Sequence, residues 1–330
     1  MRVLITGGAG FVGRWFTKAL LEKGHEVLVV DSLVHGGGGI TPNKWRIFNP
    51  FEYKNFTYVE EDCRDFFRSN DSTQPFDLAI HLAAVVGGRL TIERNPLSVA
   101  DDLSIDANFW EWAVKHKPAH IVSFSSSAAY PVNLQTDEGH LVLSEEMISF
   151  DGSLGMPDMS YGWSKLTNEY LGTIAHEKYG LKVACYRPFS GYGQDQDLSY
   201  PFPSICLRAL EHKEQNDFVV WGSGLQGRDF IHISDVVAGV LESYQKLTDG
   251  KGVNLSTGIL TTFKELAAEV LVQLGKKSQI TGDESMPSGV FARVGDTTLQ
   301  NKLGISPKVK LKDGIAEALD FLAPLANKGV

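Results

Sequence analysis

The sequence predicts an α/β fold in which a doubly wound parallel sheet is followed by a smaller mixed α/β lobe. Three observations lead to this prediction. The chain begins with a short apolar run that enters a glycine-rich turn and then an amphipathic segment. Segments typical of strands and of helices then alternate up to residue 188, an order that produces parallel strands with helices on both faces. Beyond residue 188 short strands mix with helices, so we predict a sheet domain at 1–188 and a smaller lobe at 189–330.

Hydrophobic periodicity defines the elements of the first domain. Short apolar runs predict buried strands, and apolar positions three and four residues apart predict helices. The connection over 32–54 is polar, glycine-rich and aromatic; it is long for an unstructured loop, so we expect it to lie over a ligand. After an N-terminal strand, we predict strands at 26–30, 56–60, 76–82, 119–125 and 182–187, and helices at 11–23, 96–115 and 161–179.

The second part of the chain is predicted to cover the edge of the sheet formed by the carboxyl ends of the strands. In parallel sheets of this kind ligands bind at that edge, so we expect a ligand between the two parts. In this lobe we predict strands at 217–221, 228–231 and 252–255, and helices at 200–213, 234–246, 262–274 and 311–324.

Composition excludes several classes of protein. A hydrophobic content of 43% with 22% charged residues is typical of a soluble globular chain. The net charge of −9 argues against nucleic-acid binding, because contacts with phosphates need a basic surface. No apolar run reaches the roughly 18 residues of a membrane span, and the N-terminus lacks the layout of a signal peptide. Three cysteines without a close pair indicate reduced thiols, so we expect a cytoplasmic protein.

The glycine turn at the N-terminus predicts a dinucleotide site. Gly7 permits the tight turn, Gly10 lets the backbone approach a pyrophosphate, and Gly13 lets the helix pack on the strand. The free N–H groups at the helix N-terminus favour an anion. The second strand ends at Asp31, and an acidic residue about 20 positions after the turn suits a ribose 2′-hydroxyl. Because its carboxylate would repel a 2′-phosphate, we predict NAD in preference to NADP.

Two later stretches carry candidate catalytic residues. Tyr161 and Lys165 are four residues apart on a predicted helix and therefore share one face. A nearby ammonium lowers the pKa of a tyrosine by stabilising the phenolate, which makes Tyr161 a candidate general base. The serines at 125–127 directly follow the fifth predicted strand, where ligand contacts gather, so one hydroxyl could hydrogen-bond a substrate. The alternative for these serines is a polar strand end that caps the next segment.

Taken together, these residues resemble the extended short-chain dehydrogenase/reductase family, in its nucleotide-sugar epimerase and dehydratase branch. The resemblance covers nearly the whole chain and implies a Rossmann-type fold. Besides the glycine turn, Asp31, the serines and the Tyr-x-x-x-Lys pair, it includes the acidic residues Asp62 and Asp65 and the His-Leu-Ala-Ala sequence at 81–84. It also includes the segment at 221–236, which separates nucleotide-sugar enzymes from other dehydrogenases of the same fold.

The resemblance implies a role for each candidate residue. Tyr161 takes the proton from a sugar hydroxyl, usually at C4, as hydride passes to NAD⁺, and Lys165 binds the nicotinamide ribose. Ser126 hydrogen-bonds the same hydroxyl, with Ser127 as a close rival. The implied cofactor-binding residues are Gly7, Gly10, Phe11, Val12, Gly13, Asp31, Asp62, Cys63, Leu82, Ala83, Ala84, Tyr161 and Lys165. The implied substrate-binding residues are Val86, Gly87, Ser126, Ser127, Ser190, Arg228 and Arg293.

Three of these assignments carry a further expectation. Arg228 and Arg293 are assigned to the nucleotide diphosphate, because a diphosphate needs planar donors that bind two oxygens at once. Cys63, beside Asp62, is expected near the adenine through its backbone and is not expected to be reactive.

Departures from the family pattern narrow the predicted reaction. The stretch after Ala84 and the Tyr130-Pro131 pair look most like the GDP-mannose 3,5-epimerase and GDP-fucose synthase group. Those enzymes place a cysteine two residues before the tyrosine, where this chain has Ala128, which cannot exchange a proton. The 4,6-dehydratases place Asp-Glu directly after the serine or threonine, where this chain has Ser127 and Ala128. The remaining chemistry needs only serine, tyrosine, lysine and NAD, so we predict a 4-epimerase that oxidises C4 transiently.

Other reactions remain open at this point. A dehydratase or a 3,5-epimerase could draw an acid or base from His140, Glu138 or Asp195. A reductase of a 4-keto sugar would consume external NAD(P)H, and a non-catalytic NAD-binding sensor would need no chemistry. Ser190 and the aspartate pair at 101–102 stand where the family often has asparagine, which indicates an unusual substrate.

The resemblance implies NAD and a nucleotide-diphosphate sugar as ligands, with no nucleic acid, no membrane and no metal. In this scheme the domain at 1–188 binds NAD and carries the catalytic residues, and the lobe at 189–330 binds the nucleotide sugar. Relatives usually pair through two helices each, here roughly 97–115 and 161–179, so we predict a homodimer. The apolar faces of these helices, which serve either a partner or the core, include Leu103, Phe109, Trp110 and Leu171.

Overall fold

The protein is described by a computed structural model that covers residues 1–34, 38–70, 74–85 and 89–326. The strands are β1 (Arg2–Thr6), β2 (Glu26–Asp31), β3 (Phe56–Glu60), β4 (Leu78–His81), β5 (His120–Phe124), β6 (Val142–Leu143), β7 (Val183–Pro188), β8 (Ser190–Tyr192), β9 (Phe218–Trp221), β10 (Gly227–His232), β11 (Asp249–Leu255), β12 (Leu260–Thr262), β13 (Ile280–Asp283) and β14 (Ala292–Gly295). The helices are α1 (Phe11–Glu22), α2 (Cys63–Ser69), α3 (Arg89–Arg94), α4 (Ala100–His116), α5 (Met159–Tyr179), α6 (Pro201–Glu211), α7 (Ile233–Ser243), α8 (Phe263–Gln273), α9 (Thr298–Lys302) and α10 (Leu311–Ala326).

The main sheet is parallel throughout. Within the described residues it has seven strands in the order β11-β7-β5-β4-β1-β2-β3. Strand β1 pairs with β2 on one side and β4 on the other, so that Leu4 lies opposite Leu28 and Ala79. The chain order reverses between β1 and β4, and this reversal opens a crevice at the carboxyl ends of the two strands. The predicted doubly wound parallel sheet is therefore confirmed.

Helices cover both faces of the main sheet. On one face α1 and α7 contribute Phe16 and Val240 to an apolar core. On the other face α2 and α4 contribute Phe67, Phe109 and Trp112 to a second core, together with α5. Because both faces are covered, the strands read as nearly continuous apolar runs instead of alternating ones. Among the described residues, no helix combines the length and the apolar character needed to cross a membrane.

The C-terminal lobe is built on smaller sheets. In the described ranges, β12, β10, β14 and β6 lie side by side in that order and β8 pairs with β10, while β9 and β13 form a separate parallel pair. Helices α6, α8 and α10 pack together around residues such as Phe202, Leu266 and Ile315. The predicted mixed α/β lobe is present, and its larger sheet also takes β6 from the first part of the chain, where Val142 lies opposite Val294.

One strand was predicted in the wrong sheet. The sequence placed 252–255 in the lobe, whereas the structure extends it to β11 and pairs it in parallel with β7, with Val253 opposite Tyr186. Periodicity identifies a strand but not its neighbour, because the neighbour depends on the path of the chain through α7. Helix α2 was not predicted either, although Asp62 is its N-cap and accepts a hydrogen bond from the Arg64 amide.

Candidate active site

A cavity of about 350 Å³ lies at the carboxyl ends of the main-sheet strands. It receives residues from the ends of β1, β2, β4 and β5, from α1 and α5, and from the segment after β8. This is the position where ligands bind in doubly wound sheets. Every predicted cofactor-binding and catalytic residue lines it: Gly7, Gly10, Phe11, Val12, Gly13, Asp31, Asp62, Cys63, Leu82, Ala83, Ala84, Ser126, Tyr161 and Lys165.

The glycine turn brings the backbones of β1, α1 and the end of β4 into close contact. Gly7 has a φ of +70°, and a Cβ placed on it would lie 2.6 Å from the amide nitrogen of Ala83. A Cβ on Gly13 would lie 2.5 Å from the Cα of Gly8. Both positions therefore exclude side chains, as the sequence predicted. Helix α1 begins at Phe11, and no side chain caps its N-terminus, so its first N–H groups can serve an anion.

Asp31 lies at the carboxyl end of β2 beside the turn. Its Oδ2 accepts a hydrogen bond from the Ala9 amide at 2.9 Å, and its Oδ1 accepts one from the Leu33 amide at 2.9 Å. Burial raises the pKa of this carboxyl, and the two hydrogen bonds oppose that rise. The following connection, predicted to lie over a ligand, lines the cavity with Gly38 and Gly39.

The second acidic position, Asp62, lines the cavity beside Arg64. Asp62 accepts hydrogen bonds from the backbone and the side chain of Arg64, the closest at 2.6 Å from Nη2. Arg64 holds the pKa of this carboxyl below its usual range. Burial raises the pKa of the Cys63 thiol to about 12, so the thiol remains protonated at neutral pH. This agrees with the expectation that Cys63 is unreactive.

Ser126, Tyr161 and Lys165 meet where β5 ends and α5 begins. A side chain at Gly162 would collide with the backbone of Ala128, so α5 packs directly on the short turn that follows Ser126. The Ser126 hydroxyl accepts a hydrogen bond from the Ala128 amide at 3.1 Å. The Lys165 ammonium lies 5.8 Å from the centroid of the Tyr161 ring. The helical spacing therefore places both side chains on the cavity, as predicted.

Two buried carboxylates lie behind Lys165. Burial disfavours the charged form of the lysine, but Tyr161, Asp106 and Asp102 together outweigh that effect and raise its pKa. Asp102, which is 1% exposed, accepts hydrogen bonds from the Val85 amide and from the Ser164 hydroxyl, the latter at 3.3 Å. Burial raises the pKa of Asp102 to about 6. The second aspartate of the 101–102 pair therefore lies on the interior side of Lys165 and favours its charged form.

The predicted substrate-binding residues, unlike the predicted cofactor-binding residues, do not all line the cavity. Within the described part of the chain, Ser126 lines the cavity whereas Ser127 does not, although both serines are buried. Ser190 begins β8 and does not line the cavity either, although its neighbours Phe189 and Gly191 do. Val86 and Gly87 lie outside the described residues.

Arg228 and Arg293 lie side by side on β10 and β14, where they are register partners. The described residues that line the cavity include neither of them. Arg228 Nη1 donates to the carbonyl oxygens of Gly227 and Val290, at 2.7 Å and 2.9 Å. Arg293 donates from Nε to Gln135 Oε1 at 2.6 Å and from Nη2 to Asp158 Oδ2 at 2.8 Å. Asp158 directly precedes α5, so Arg293 is connected to the helix that carries Tyr161 and Lys165.

The alternative acid and base candidates do not reach the cavity. Glu138 and His140 are exposed, and the described cavity lining includes neither of them nor Asp195. Asp195 instead forms a buried ion pair with Arg14. Sequence reasoning missed Arg14, although a charged residue on the apolar face of a predicted helix was a signal that it needed a buried partner.

The comparisons with known proteins agree with this architecture. Residues 3–256 match the model of the NAD dependent epimerase/dehydratase family. The chain is 26% identical to a putative UDP-glucose 4-epimerase of Methanocaldococcus jannaschii over 97% of this chain and 98% of the relative. It is 26% identical to a dTDP-glucose 4,6-dehydratase of Streptomyces niveus over 97% and 92% of the two chains. A crystal structure of a UDP-glucuronic acid 4-epimerase from Bacillus cereus superposes with a TM-score of 0.83 at 24% identity, covering 98% of this chain and all of the other.

Proposed function

The chain belongs to the NAD-dependent epimerase/dehydratase family, and we propose that it is a nucleotide-sugar 4-epimerase that acts by transient oxidation at C4 of the sugar. One observation carries this proposal. Ser126, Tyr161 and Lys165 converge on a single cavity, whereas the positions directly after Ser126 hold Ser127 and Ala128 and offer no carboxylate or thiol. This set of side chains is sufficient to remove and return one hydroxyl proton, and a 4-epimerase needs no other acid or base.

The residues of the cavity fit the cofactor that the family uses. The turn at Gly7 and Gly13 leaves a space that a Cβ would fill, and the uncapped N-terminus of α1 offers N–H groups to a pyrophosphate. Asp31 would accept hydrogen bonds from the adenosine ribose, while Asp62 and Cys63 would lie against the adenine. Bound there, NAD would supply the hydride chemistry of the reaction, as acceptor of the C4 hydride and as donor of the same hydride to the opposite face of the ketone.

Residues of the chain itself would remove the hydroxyl proton and return it. We assign the general base to Tyr161, which would take the C4 hydroxyl proton and give it back in the reverse step. The ammonium of Lys165, kept charged by Tyr161, Asp106 and Asp102, would stabilise the phenolate. The Ser126 hydroxyl would hydrogen-bond the same oxygen and hold it beside Tyr161. Ser126 is preferred to Ser127 because, of these two serines, Ser126 is the one that lines the cavity.

The lobe would hold the nucleotide sugar. We assign the domain at 1–188 to NAD and the lobe at 189–330 to the nucleotide sugar, although β11 from the second part completes the main sheet. Arg228 and Arg293 are register partners on adjacent strands, so their two guanidinium groups occupy neighbouring positions. This pairing supports a role for both residues at the diphosphate. Ser190 is assigned to the sugar on the basis of its place at the start of β8. A cytoplasmic location remains a prediction.

The proposal is tested by incubating the protein with UDP-, GDP-, CDP- and dTDP-sugars in heavy water and reading the products by NMR. UDP-sugars come first, because the named epimerase relatives act on them. We expect inversion at C4 without deuterium on carbon. Deuterium at C3, C5 or C6, or loss of water, would assign the chain to the 3,5-epimerases or dehydratases. Stoichiometric oxidation of added NADH would indicate a reductase, and no turnover of any sugar would indicate a sensor.

We further propose a homodimer formed through α4 and α5. Leu103 on α4 and Trp163 and Tyr170 on α5 are 45%, 43% and 46% exposed, so these two adjacent helices present large apolar side chains at the surface. Phe109 and Trp110, by contrast, belong to the core beneath α4, and Leu171 packs against that core. Light scattering should give twice the chain mass, and Trp163→Glu should yield monomers; a monomeric parent protein would refute the proposal.

A further inference from the structure

The backbone of Ala9, in the middle of the glycine turn, is held by three separate segments of the chain. Its amide donates to Asp31 Oδ2 at 2.9 Å. Its carbonyl accepts one hydrogen bond from the Ile40 amide at 3.0 Å and another from Arg14 Nη1 at 2.5 Å. Ala9 is fully buried. The turn that would hold the pyrophosphate is therefore fixed by the end of β2, by the connection after it and by the side chain of Arg14.

Arg14 also reaches into the second half of the chain. Its Nε donates to Asp195 Oδ2 at 2.5 Å, and its Nη2 donates to the backbone oxygen of Asp195 at 2.8 Å. The exposed fractions of the two side chains are 1% for Arg14 and 5% for Asp195. Three nitrogens of one guanidinium thus connect the glycine turn with a residue 181 positions later in the chain. A planar fork with several donors suits such a double attachment.

Asp195 adopts a backbone conformation that is uncommon for residues other than glycine, although aspartate tolerates it better than most. Its φ is +67°, in the left-handed region that residues with a Cβ rarely adopt. Such a conformation persists where surrounding contacts determine it, and here the two hydrogen bonds from Arg14 supply those contacts. Arg14 therefore fixes the path of the backbone at Asp195 as well as neutralising its charge.

The segment that contains Asp195 forms a wall of the cavity. We define it as the 193–200 segment, which follows β8; it lines the cavity with Gln196, Asp197, Ser199 and Tyr200, while Gly10, Phe11 and Val12 also line it. A Cβ on Gly38, in the connection after β2, would lie 4.0 Å from that of Asp197, so the two segments meet at the cavity. Gln196 donates to the Gly191 carbonyl at 3.0 Å, but its buried Oε1 has no partner among the described residues. A buried acceptor in this state is suited to a donor on a bound ligand.

We propose that the Arg14–Asp195 ion pair is a latch that holds the 193–200 segment in place as a wall of the cavity and retains NAD on the protein between turnovers. This inference rests on the proposed function only in taking the cavity as the NAD site. A ligand that leaves past the 193–200 segment must displace it, and displacement separates the two charges. Arg14 would then remain buried beside the glycine turn without its counter-ion, which is costly. The latch therefore raises the barrier to cofactor release.

Retention of NAD suits the proposed reaction. In a 4-epimerase the hydride taken from C4 returns to the same sugar, so the oxidised and reduced cofactor can stay on one protein molecule. A reductase, by contrast, must exchange its cofactor in every cycle. A latch at this position would therefore suit an epimerase, whereas it would slow the cofactor exchange that a reductase needs.

The test is the rate at which NADH leaves the protein, which requires no sugar substrate. Protein saturated with NADH is mixed with a large excess of NAD⁺, and the loss of bound NADH fluorescence is followed. Asp195→Asn removes the charge but keeps an oxygen that can accept from Arg14 Nε, so it is the variant most compatible with folding. We expect it to release NADH about tenfold faster than the parent protein, and Asp195→Ala to release it faster still.

The control is Glu22→Gln on the same helix, which removes an exposed ion pair with Lys18 measured at 3.7 Å. We expect its release rate to equal that of the parent protein, because exposed pairs contribute little. An unchanged release rate in Asp195→Asn and Asp195→Ala, with or without a lower melting temperature, would show that the pair serves only the fold and would overturn the latch. Failure of the parent protein to bind NADH would also overturn it. Failure of the sugar panel alone would leave the latch standing and remove the proposed reaction.

Discussion

The glycine turn and the arginine pair are the two ends of the candidate site, and they are built differently. The glycine turn, the end of β2 and the end of β4 belong to adjacent parallel strands, so their motif residues meet at one sheet edge. Arg228 and Arg293 lie on β10 and β14 of a separate sheet, and their position relative to the cavity depends on how the lobe packs. The predicted cofactor-binding residues of the first region line the cavity, whereas neither arginine does within the described residues.

The difference arises because the two parts of the fold orient their motif residues in different ways. A motif at the end of a parallel strand is aimed at the site by the sheet itself, because all carboxyl ends share one edge. A motif in the lobe can satisfy its charge inside the protein, as Arg293 does with Gln135 and Asp158. The assignments in the first region are therefore better supported than those of the two arginines, and the following experiments test that contrast.

The largest effect is expected at the tyrosine of the first region. Tyr161→Phe removes the group that accepts and returns the proton, so kcat for C4 inversion should fall by about 10³-fold. NAD content should be unchanged, since the phenyl ring still fills the same place. Inversion is measured by NMR, and bound NAD is measured after denaturation. Tyr179→Phe, at the exposed end of the same helix, is the matched control; full activity of Tyr161→Phe would exclude it as the base.

The next largest effect is expected on the stability of the fold, when the buried carboxylate behind Lys165 is replaced. Burial raises the pKa of Asp102 from 3.8 to about 6 in the folded protein, so the folded state holds this proton more tightly than the unfolded chain. Its contribution to stability is therefore most favourable below pH 4 and is lost as the pH rises through 6. A rise of about two pH units corresponds to about 3 kcal/mol, the upper limit of what Asp102→Asn should add at pH 8.

Urea unfolding of Asp102→Asn and the parent protein at pH 8 and at pH 4 measures this gain. The asparagine oxygen can still accept from the Val85 amide, and its NH₂ can donate to Ser164, so the fold is retained. The gain should shrink at pH 4. Asp101→Asn on the exposed side of α4 should change stability by less than about 0.5 kcal/mol at either pH. A loss of stability in Asp102→Asn at pH 8 would show that its attraction to Lys165 outweighs its burial.

The glycine turn is expected to tolerate no side chain. In Gly13→Ala the new Cβ would lie 2.5 Å from the Cα of Gly8, so α1 must move away from β1. Overpacking of this kind costs about 1–3 kcal/mol, and the displaced turn should lose bound NAD. Melting temperature and NAD content report the two effects. Gly139→Ala, with no atom within 4 Å of its Cβ, should change neither; retention of NAD by Gly13→Ala would contradict the assignment of the turn.

The smallest effect is expected at Arg293, and the kinetic parameter that changes distinguishes two roles for this residue. If Arg293 binds the diphosphate, Arg293→Gln should raise KM by about tenfold while kcat changes less. If it only anchors the start of α5 through Asp158, Arg293→Gln and Asp158→Asn should both lower kcat, because Tyr161 and Lys165 lie on that helix. Steady-state kinetics of the two variants distinguishes these outcomes. An unchanged KM in Arg293→Gln would remove it from the substrate site.

The sequence determined much of the fold and most of the cofactor region. The main-sheet strands β2, β3 and β5 and the helices α1 and α5 were predicted within two residues at each end, because each has a clear period and clear boundaries. The glycine turn, Asp31, Tyr161 and Lys165 reach the cavity because their strand ends and helical spacing fix their directions. The family followed from the order of these motifs, and the Ala128 position narrowed the chemistry.

Only the tertiary structure decided which distant segments meet. It placed β11 in the main sheet, buried Phe109 and Trp110, and paired Arg14 with Asp195 across 181 positions. Such pairings depend on the packing of the lobe against the sheet, and neither periodicity nor spacing encodes them. The sequence by itself therefore predicts dinucleotide binding. The contacts that would retain the dinucleotide join the two halves of the chain and are visible only in the tertiary structure.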